Sequence, residues 1–263
     1  MDNELTIGGR KFVSRLMVGT GRHRSNEEMV ASIKASGAEI ITVAIRRLNL
    51  DNPDEKNILD YFDWDKYTIL PNTAGSKTAD EAVFTAQLAR EVTGSDWIKL
   101  EVIPYAEYLL PDPVGTYEAA LRLIADGFVV LPYIHADPVL AMKLEALGCA
   151  TVMPLGSAIG SGQGIHTGEE VRIIIEQANI PVVVDAGLAV PSDAAEALEM
   201  GAAAVLVNTA IAQSAQPALM GEAFKLGVEA GRKSHLAGRI GVRNYAAASS
   251  PTTDLPQPMP ARS

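Results

Sequence analysis

Short apolar runs recur along the chain, and most are separated by segments with the hydrophobic periodicity of an amphipathic helix. Runs of this length that are rich in β-branched residues are typical of buried parallel strands. The starts of successive runs lie roughly 20–30 residues apart, which is enough for one strand, one helix and two loops. The pattern predicts eight strands, which include residues 16–18, 40–45, 68–70, 97–103, 128–131, 151–153, 182–184 and 204–207.

Several of the intervening segments begin and end with helix signals. The first has a capping residue at its start and Gly37 as a stop, and another begins at Pro191 and is ended by Gly201. We predict helices over residues 26–36, 79–91, 116–125, 138–147 and 191–200. Strands that alternate with helices in this way form a parallel sheet that is covered by helices.

Eight strand–helix units in about 240 residues predict a single closed (β/α)8 TIM barrel. The alternative is a doubly wound open sheet, which usually carries a dinucleotide fingerprint after its first strand. Gly19-Thr20-Gly21 lacks the third glycine of that fingerprint, so we favour the barrel. We predict a catalytic barrel domain over residues 1–245, with a short insertion over 50–66 that carries a helix at 57–62. Residues 246–263 are rich in Ala, Ser, Thr and Pro and are predicted to form a mobile tail.

Composition narrows the classes of function. The chain has 263 residues, 48% of them hydrophobic, and a formal net charge of −10. A surface of that sign repels nucleic acid. No apolar run approaches the ~18 residues that span a bilayer, and the first residues lack the basic and apolar regions of a signal peptide. We therefore expect a cytoplasmic protein that binds neither membranes nor nucleic acid.

Metal and disulfide chemistry find little support in the sequence. The single cysteine, Cys149, excludes an internal disulfide and a cysteine-based zinc site. His23, His166 and His235 form no recognisable metal-binding set. Neither a metal nor another cofactor is predicted.

A lysine and a glutamate interrupt the fourth apolar run, residues 97–103. Alternation along a strand places Lys99 and Glu101 on one face, with Ile98 and Leu100 on the other. Charges on a buried strand are costly unless they are paired. Desolvation lowers the pKa of a lysine, so that its amine can attack a carbonyl group. We predict that Lys99 is an amine nucleophile; an exposed edge strand and a purely structural ion pair are the alternatives.

Polar and glycine-rich segments follow the later strands. Active sites of (β/α)8 barrels lie at the carboxyl ends of the strands. Asp185 ends the seventh predicted strand and is a candidate for acid–base chemistry beside Lys99, or alternatively a structural aspartate. Backbone amides after strands seven and eight, near Gly187 and Asn208, can hold a phosphate together with the helix that starts at Pro191. Tight turns alone are the other explanation of these glycines.

The sixth loop, residues 156–164, contains four glycines in nine residues. It can supply further amide donors to a phosphate, act as a lid, or serve only as a flexible connector. Together these features predict an enzyme that holds a small phosphorylated carbonyl compound as a Schiff base on Lys99. Glu101 and Asp185 are expected to move protons on the adjacent carbons, which an iminium acidifies.

The order of these motifs resembles that of bacterial thiazole synthase of thiamine biosynthesis. The similarity runs over residues 5–240 and includes the motifs Leu70-Pro71-Asn72-Thr73-Ala74-Gly75, Lys99-Leu100-Glu101-Val102, Val184-Asp185-Ala186-Gly187 and Asn208-Thr209-Ala210-Ile211. The chain departs from the family pattern at Pro104-Tyr105, and at Ser76, where many relatives have cysteine.

The resemblance implies an enzyme that condenses 1-deoxy-D-xylulose 5-phosphate, dehydroglycine and sulfur into thiazole phosphate carboxylate. It implies an imine on Lys99 and acid–base roles for Glu101 and Asp185. The phosphate contacts that it implies are Gly160, Ala186, Gly187, Asn208 and Thr209. It also implies two kinds of protein partner: a small ubiquitin-like sulfur carrier with a C-terminal thiocarboxylate, and further copies of this chain in a dimer or tetramer.

Two other functions compete with this interpretation. One is another Schiff-base barrel that acts on a sugar phosphate, such as a class I aldolase or a pyridoxal-phosphate-forming synthase, which would need no sulfur carrier. The other is a non-catalytic phosphate-binding barrel or scaffold, which fold alone does not exclude.

Overall fold

The computed structural model describes residues 4–47 and 56–250. Its main feature is a sheet of eight parallel strands that is covered by helices. Two further strands precede it and pair antiparallel with each other. The strands are β1 (Leu5–Ile7), β2 (Arg10–Phe12), β3 (Leu16–Gly19), β4 (Ile40–Ala44), β5 (Thr68–Asn72), β6 (Trp97–Leu100), β7 (Val129–Ile134), β8 (Met153–Pro154), β9 (Val183–Asp185) and β10 (Ala204–Val207).

The order of the strands confirms the predicted (β/α)8 barrel. Hydrogen-bonded neighbours run β8-β7-β6-β5-β4-β3-β10-β9, so the first and last barrel strands, β3 and β10, lie side by side. Parallel bridges from Val152 to Val182 and from Leu155 to Asp185 join β8 to β9 and complete the ring. An open doubly wound sheet would leave two edges unpaired, and that alternative is wrong.

The helices lie outside the barrel. All five helices that the sequence predicts with bounds are present, and α3 begins three residues before its predicted start. The Asp112 side chain caps α3 by accepting a hydrogen bond from the Val114 amide, and Pro113 occupies its first turn. The helices are α1 (Asn26–Ser36), α2 (Ala79–Thr93), α3 (Pro113–Ala125), α4 (Pro138–Leu147), α5 (Gly168–Gln177), α6 (Pro191–Met200), α7 (Thr209–Ala212) and α8 (Pro217–Ala237).

Alternation along each barrel strand divides the core into two layers. Outward side chains, such as Ile98, Leu100 and Val184, pack against the helices. Inward side chains fill the barrel towards the amino ends of the strands. They are Met17, Ile40, Leu70, Trp97, Leu131, Met153, Val183, Ala204 and Leu206.

The hairpin β1–β2, which the sequence analysis did not predict, closes the amino end of the barrel. Leu5, Ile7 and Phe12 join the inward layer, and the Phe12 ring contacts the Trp97 ring edge to face at 5.9 Å between centroids. Because apolar side chains fill this end, polar side chains can face a cavity only at the carboxyl end of the strands. The hairpin therefore helps to determine where the site lies.

The insertion and the tail are only partly described. The helix predicted at 57–62 is present as a 3₁₀ helix over Ile58–Tyr61, and the Asp60 side chain accepts a hydrogen bond from the Asn57 amide. Residues 48–55 and 251–263, which include the start of the predicted insertion and most of the predicted tail, lie outside the described residues. The domain limit at residue 245 stays a prediction. Within residues 4–47 and 56–250, no helix combines the length and hydrophobicity that crossing a bilayer requires.

Candidate active site

Lys99 lies between two carboxylates inside the barrel. Its ammonium nitrogen is 2.6 Å from Asp185 Oδ2 and 3.3 Å from Glu101 Oε1. All three residues are buried, with 3–5% of their surface exposed. The predicted strand alternation is confirmed, since Lys99 and Glu101 share a face and Ile98 and Leu100 pack outward. The alternative of an exposed edge strand is wrong.

The backbone of the lysine strand is held from the neighbouring loop. The Thr73 hydroxyl accepts a hydrogen bond from the Glu101 amide and donates one to the Glu101 carbonyl, both at 2.8 Å. The Thr73 amide donates to the Lys99 carbonyl at 3.1 Å. Because Glu101 lies just beyond the last residue of β6, these bonds continue the strand geometry by one residue and keep both charged side chains on the inner face.

The electrostatics of the lysine differ from the expectation of a lowered pKa. Burial alone lowers the pKa of Lys99, but the charges of Asp185 and Glu101 outweigh burial and hold it above its ordinary value. Burial also raises the pKa of Glu101. The resting lysine is therefore an ammonium ion, and its amine becomes nucleophilic only after a proton has moved to a neighbouring acceptor. Asp185, at 2.6 Å, is the nearest acceptor described.

Tyr133 is a residue of this site that the sequence analysis missed. It is completely buried, and the centre of its ring lies 5.6 Å from the Lys99 nitrogen, within range of a cation–π contact. Its hydroxyl is 3.5 Å from the carbonyl oxygen of Leu109, in the loop after β6. Burial and the two carboxylates raise the pKa of Tyr133, so the phenol is neutral. The available signal was strand alternation, which places Tyr133 two positions beyond the inward-facing Leu131.

A cavity of about 700 Å³ opens above the lysine at the carboxyl end of the barrel. It brings together the three charged residues and all five residues that the family resemblance assigns to phosphate binding. Along this cavity lie Lys99, Glu101, Gly160, Asp185, Ala186, Gly187, Asn208 and Thr209. The roles of the individual residues stay predictions.

The glycine-rich sixth loop packs directly against the seventh. The Gly164 amide donates to the Gly187 carbonyl at 2.9 Å, and the Ser157 hydroxyl donates to the Gly164 carbonyl at 2.7 Å. Ala186 and Gly187 both have left-handed backbones, with φ of 72° and 81°. Backbone amides of such a loop can serve as donors to an anion. The sixth loop is therefore held against the seventh by hydrogen bonds.

Asn208 connects the eighth loop to the first. With its amide oriented to satisfy its neighbours, the side-chain nitrogen donates to the carbonyls of Gly19 at 3.2 Å and Gly21 at 2.9 Å. A side chain at position 19 would collide with Asn208, because a Cβ there would lie 2.7 Å from the Asn208 Cγ. The side-chain amide of Asn208 thus has a clear structural role in addition to any contact with a ligand.

Ser76, where the sequence departs from the family pattern, packs in the interior of the protein. Ser76 is completely buried, and its hydroxyl lies 3.3 Å from that of Thr85. Within the described ranges, no group of three or more His, Cys, Asp or Glu side chains is arranged to hold a metal ion.

Comparisons with known proteins identify the family. Residues 6–251 match the family model described as "Thiazole biosynthesis protein ThiG". The thiazole synthase of Syntrophobacter fumaroxidans is 58% identical over 96% of this chain and 98% of that protein. The thiazole synthase of a Synechococcus species is 55% identical over 98% of this chain and 95% of that protein. The crystal structure of the Amycolatopsis orientalis BexX/CysO complex aligns with a TM-score of 0.81 at 34% identity, over 93% of this chain and 98% of that one. The chain belongs to the ThiG family, the thiazole synthases of thiamine biosynthesis.

Proposed function

We propose that this thiazole synthase condenses 1-deoxy-D-xylulose 5-phosphate, dehydroglycine and sulfur into thiazole phosphate carboxylate through an imine on Lys99. The observation that carries the proposal is the buried amine, which contacts two carboxylates and faces a cavity with a glycine-rich wall. A purely structural ion pair would have no need of such a cavity.

The proton balance of imine formation fits the three charged groups. Lys99 begins as an ammonium, and Asp185 takes one proton so that the nitrogen lone pair can add to the ketone carbon. The ketone oxygen then leaves as water, and its two protons are those that the nitrogen gives up. The resulting iminium carries one positive charge, as the ammonium did, so the contacts with Glu101, Asp185 and the Tyr133 ring remain favourable.

After the imine forms, carboxylates are needed to move protons on the neighbouring carbons. Glu101 and Asp185 are the carboxylates that contact Lys99 in the described structure. The raised pKa of Glu101 allows it to hold a proton at a pH where an exposed glutamate is ionised. We therefore assign proton delivery to Glu101 and proton abstraction to Asp185.

The phosphate is assigned to the glycine-rich wall of the cavity. Gly160, Ala186, Gly187 and Thr209 are among the residues that line the cavity, and backbone amides of such loops can serve as donors to an anion. Asn208 would contact the phosphate through its backbone, and its side chain holds the first loop through hydrogen bonds to Gly19 and Gly21. This arrangement would place the sugar phosphate with its ketone towards Lys99.

The sulfur is assigned to a small carrier protein whose C-terminal thiocarboxylate enters the cavity mouth. Two observations support a protein partner: the related BexX was solved in complex with CysO, and the loop after β6 exposes Tyr105 and Tyr108, whose rings pair at 5.4 Å. Exposed tyrosines are common at protein interfaces.

We further propose that the chain is cytoplasmic and that it associates with further copies of itself. Apolar side chains are exposed on neighbouring helices α2 and α3, namely Phe84 (67%), Val114 (63%) and Leu121 (51%). Patches of this kind are often covered in oligomers. They support a homo-oligomer, a dimer or a tetramer.

The direct test is an intact mass spectrum after incubation with 1-deoxy-D-xylulose 5-phosphate and borohydride. We expect a reduced adduct of one sugar phosphate per chain. Addition of the thiocarboxylate carrier and dehydroglycine should then yield the thiazole. A product formed without any sulfur source would indicate an aldolase-like enzyme, and ligand binding without an adduct would indicate a phosphate-binding scaffold.

Titration of Glu101 gives a prediction on stability. A group whose pKa is higher in the folded than in the unfolded protein stabilises the fold when protonated, and this contribution is lost as the pH rises through the folded pKa. Burial raises the folded pKa of Glu101 above its ordinary value of 4.5. Glu101→Gln keeps the shape of the protonated group and removes the titration. Above pH 4.5, its free energy of unfolding should therefore fall less with rising pH than that of the parent protein.

Urea denaturation at a series of pH values measures this difference. Glu118→Gln, at an exposed position on α3, is the matched control and should follow the parent protein. The same pH dependence in Glu101→Gln and in the parent would show that burial of Glu101 does not affect stability.

A further inference from the structure

The charges along the cavity are poorly matched to a phosphorylated substrate. Its charged lining residues are Arg22, Lys99, Glu101 and Asp185. Lys99 is already engaged by both carboxylates. A phosphomonoester carries up to two negative charges, and the chain as a whole has a net charge of −10. The backbone amides of the glycine-rich wall are dipoles without net charge. Among the described residues that line the cavity, Arg22 is therefore the cation that remains to balance the phosphate.

Arg22 has an unusual backbone that is held in place by its neighbours. It follows β3 with φ of 70°, a left-handed conformation that is uncommon for residues other than glycine. The Asn208 side chain donates one hydrogen bond to the carbonyl of the preceding residue, Gly21, at 2.9 Å. It donates another to the carbonyl of Gly19 at 3.2 Å. Non-glycine residues kept in this region often serve a function, because the surrounding structure must maintain them there.

The topology brings Arg22 beside the proposed phosphate wall. Strands β3 and β10 pair in parallel, with Val18 opposite Val207. The loops that follow them, which carry Arg22 and Asn208-Thr209, therefore leave the barrel next to each other. The Arg22 side chain is exposed at the cavity, and among the described residues no carboxylate forms an ion pair with it.

We propose that Arg22 is a substrate-binding residue that supplies the positive charge for the phosphate group, and that the Asn208 side chain positions it. This inference rests on the proposed function, because it takes a phosphorylated sugar as the substrate. The Asn208 side chain would hold the first loop, and thereby Arg22, in place. Any contact between the Asn208 backbone and the phosphate would be additional. Arginine suits this task because its planar donors match phosphate oxygens.

The test compares the phosphorylated and unphosphorylated sugars. The concentration that gives half-maximal borohydride trapping is measured for 1-deoxy-D-xylulose 5-phosphate and for 1-deoxy-D-xylulose. For Arg22→Gln we expect the half-maximal concentration of the phosphorylated sugar to rise about tenfold, which corresponds to the loss of one charge-assisted hydrogen bond. The half-maximal concentration of the unphosphorylated sugar should change much less, because that sugar lacks the group that Arg22 would bind. For Arg22→Lys, the half-maximal concentration of the phosphorylated sugar should lie between the values for the parent protein and for Arg22→Gln.

Two controls separate charge from backbone effects. Arg22→Gly suits the left-handed conformation but lacks the charge, and it should behave like Arg22→Gln. Arg24→Gln removes a nearby arginine that pairs with Glu28 at 2.8 Å, and it should behave like the parent protein. If Arg22→Gly binds the phosphorylated sugar as tightly as the parent, the charge of Arg22 has no role and the inference is wrong.

The role of Asn208 is tested by combining substitutions. Asn208→Ala should weaken trapping of the phosphorylated sugar, and its effect should be smaller in the Arg22→Gln background. Equal effects in both backgrounds would overturn the positioning role. The proposed function fails separately, since it is tested on the parent protein, which must form the adduct and then yield the thiazole when the sulfur carrier and dehydroglycine are added. An adduct in the parent with unchanged half-maximal concentration in Arg22→Gln would leave that function intact and refute the role of Arg22.

Discussion

Lys99→Met is expected to abolish the borohydride-trapped adduct and to lower the rate of thiazole formation by on the order of 10⁶-fold, as when a catalytic nucleophile is removed from another enzyme. The amine is the only part of the side chain that can form an imine. The loss should therefore be in turnover more than in affinity, since the phosphate wall is untouched. Intact mass and single-turnover product formation measure the two quantities.

The same substitution is expected to destabilise the fold. Asp185 and Glu101 both contact the ammonium, at 2.6 and 3.3 Å, and both are buried. Breaking a buried ion pair from one side typically costs about 3–5 kcal/mol. In Lys99→Met the two carboxylates lack their counter-ion, and protonation of Glu101, whose pKa is already raised by burial, relieves the repulsion. The loss in the free energy of unfolding should accordingly be smaller at pH 5 than at pH 8.

Two variants show whether the lost adduct reflects chemistry. Lys99→Arg keeps a positive charge between the carboxylates but offers no amine that forms an imine at neutral pH, so it should be more stable than Lys99→Met and equally unable to form the adduct. Lys77→Ala removes an exposed lysine at the end of the neighbouring loop and should retain the adduct. An adduct that persists in folded Lys99→Arg would show that another amine reacts.

The sequence predicted the barrel because its strands and helices have distinct periodicities. Strand alternation was enough to place Lys99 and Glu101 on one face, and the position at a strand end was enough to associate Asp185 with them. The hairpin β1–β2 was missed because each strand has only three residues, although Gly8-Gly9 between them is a recognised turn signal. A periodic pattern cannot be read from runs of that length.

The errors within the site have a different origin. Burial alone led us to expect a lowered pKa for Lys99. The sign of the pKa shift, however, depends on how close the two carboxylates come to the amine. Local sequence patterns do not give distances between strands of a barrel. Tyr133 was overlooked for a related reason. It lies on β7, and its contact with Lys99 on β6 becomes apparent only once the register pairs Lys99 with Leu131. The link from Asn208 to the first loop likewise depends on closure of the ring between β3 and β10.

Gly187→Ala is expected to impair substrate binding severely while leaving the lysine site intact. A Cβ at position 187 would lie 2.0 Å from the Ser157 hydroxyl oxygen, 2.6 Å from the Ser157 amide nitrogen and 2.9 Å from its Cα. Two of these three atoms belong to the backbone and cannot rotate away. The sixth and seventh loops must therefore separate, and the 2.9 Å bond from the Gly164 amide to the Gly187 carbonyl should be disturbed.

The collision, and not the left-handed backbone, should dominate this effect. Ala186 already adopts φ of 72°, so an alanine is accepted in this region one residue earlier. A left-handed backbone costs a residue other than glycine roughly 1–2 kcal/mol. Gly162→Ala provides the matched control, because Gly162 has φ of 62° but its added Cβ would meet nothing closer than 3.8 Å. It bears the backbone cost without the collision.

We expect Gly187→Ala to raise the half-maximal concentration of 1-deoxy-D-xylulose 5-phosphate in the trapping assay by at least about tenfold, equivalent to about 1.4 kcal/mol of binding free energy. The free energy of unfolding should fall by more in Gly187→Ala than in Gly162→Ala. Gly162→Ala should show only the loss that comes from the left-handed backbone, and it should bind the sugar phosphate nearly as tightly as the parent protein does. If both variants bind the sugar phosphate equally well, contact between the sixth and seventh loops is not what shapes the phosphate wall. Binding that weakens equally in both would instead attribute the effect to what the two substitutions share, namely a left-handed backbone and an added methyl group at the cavity.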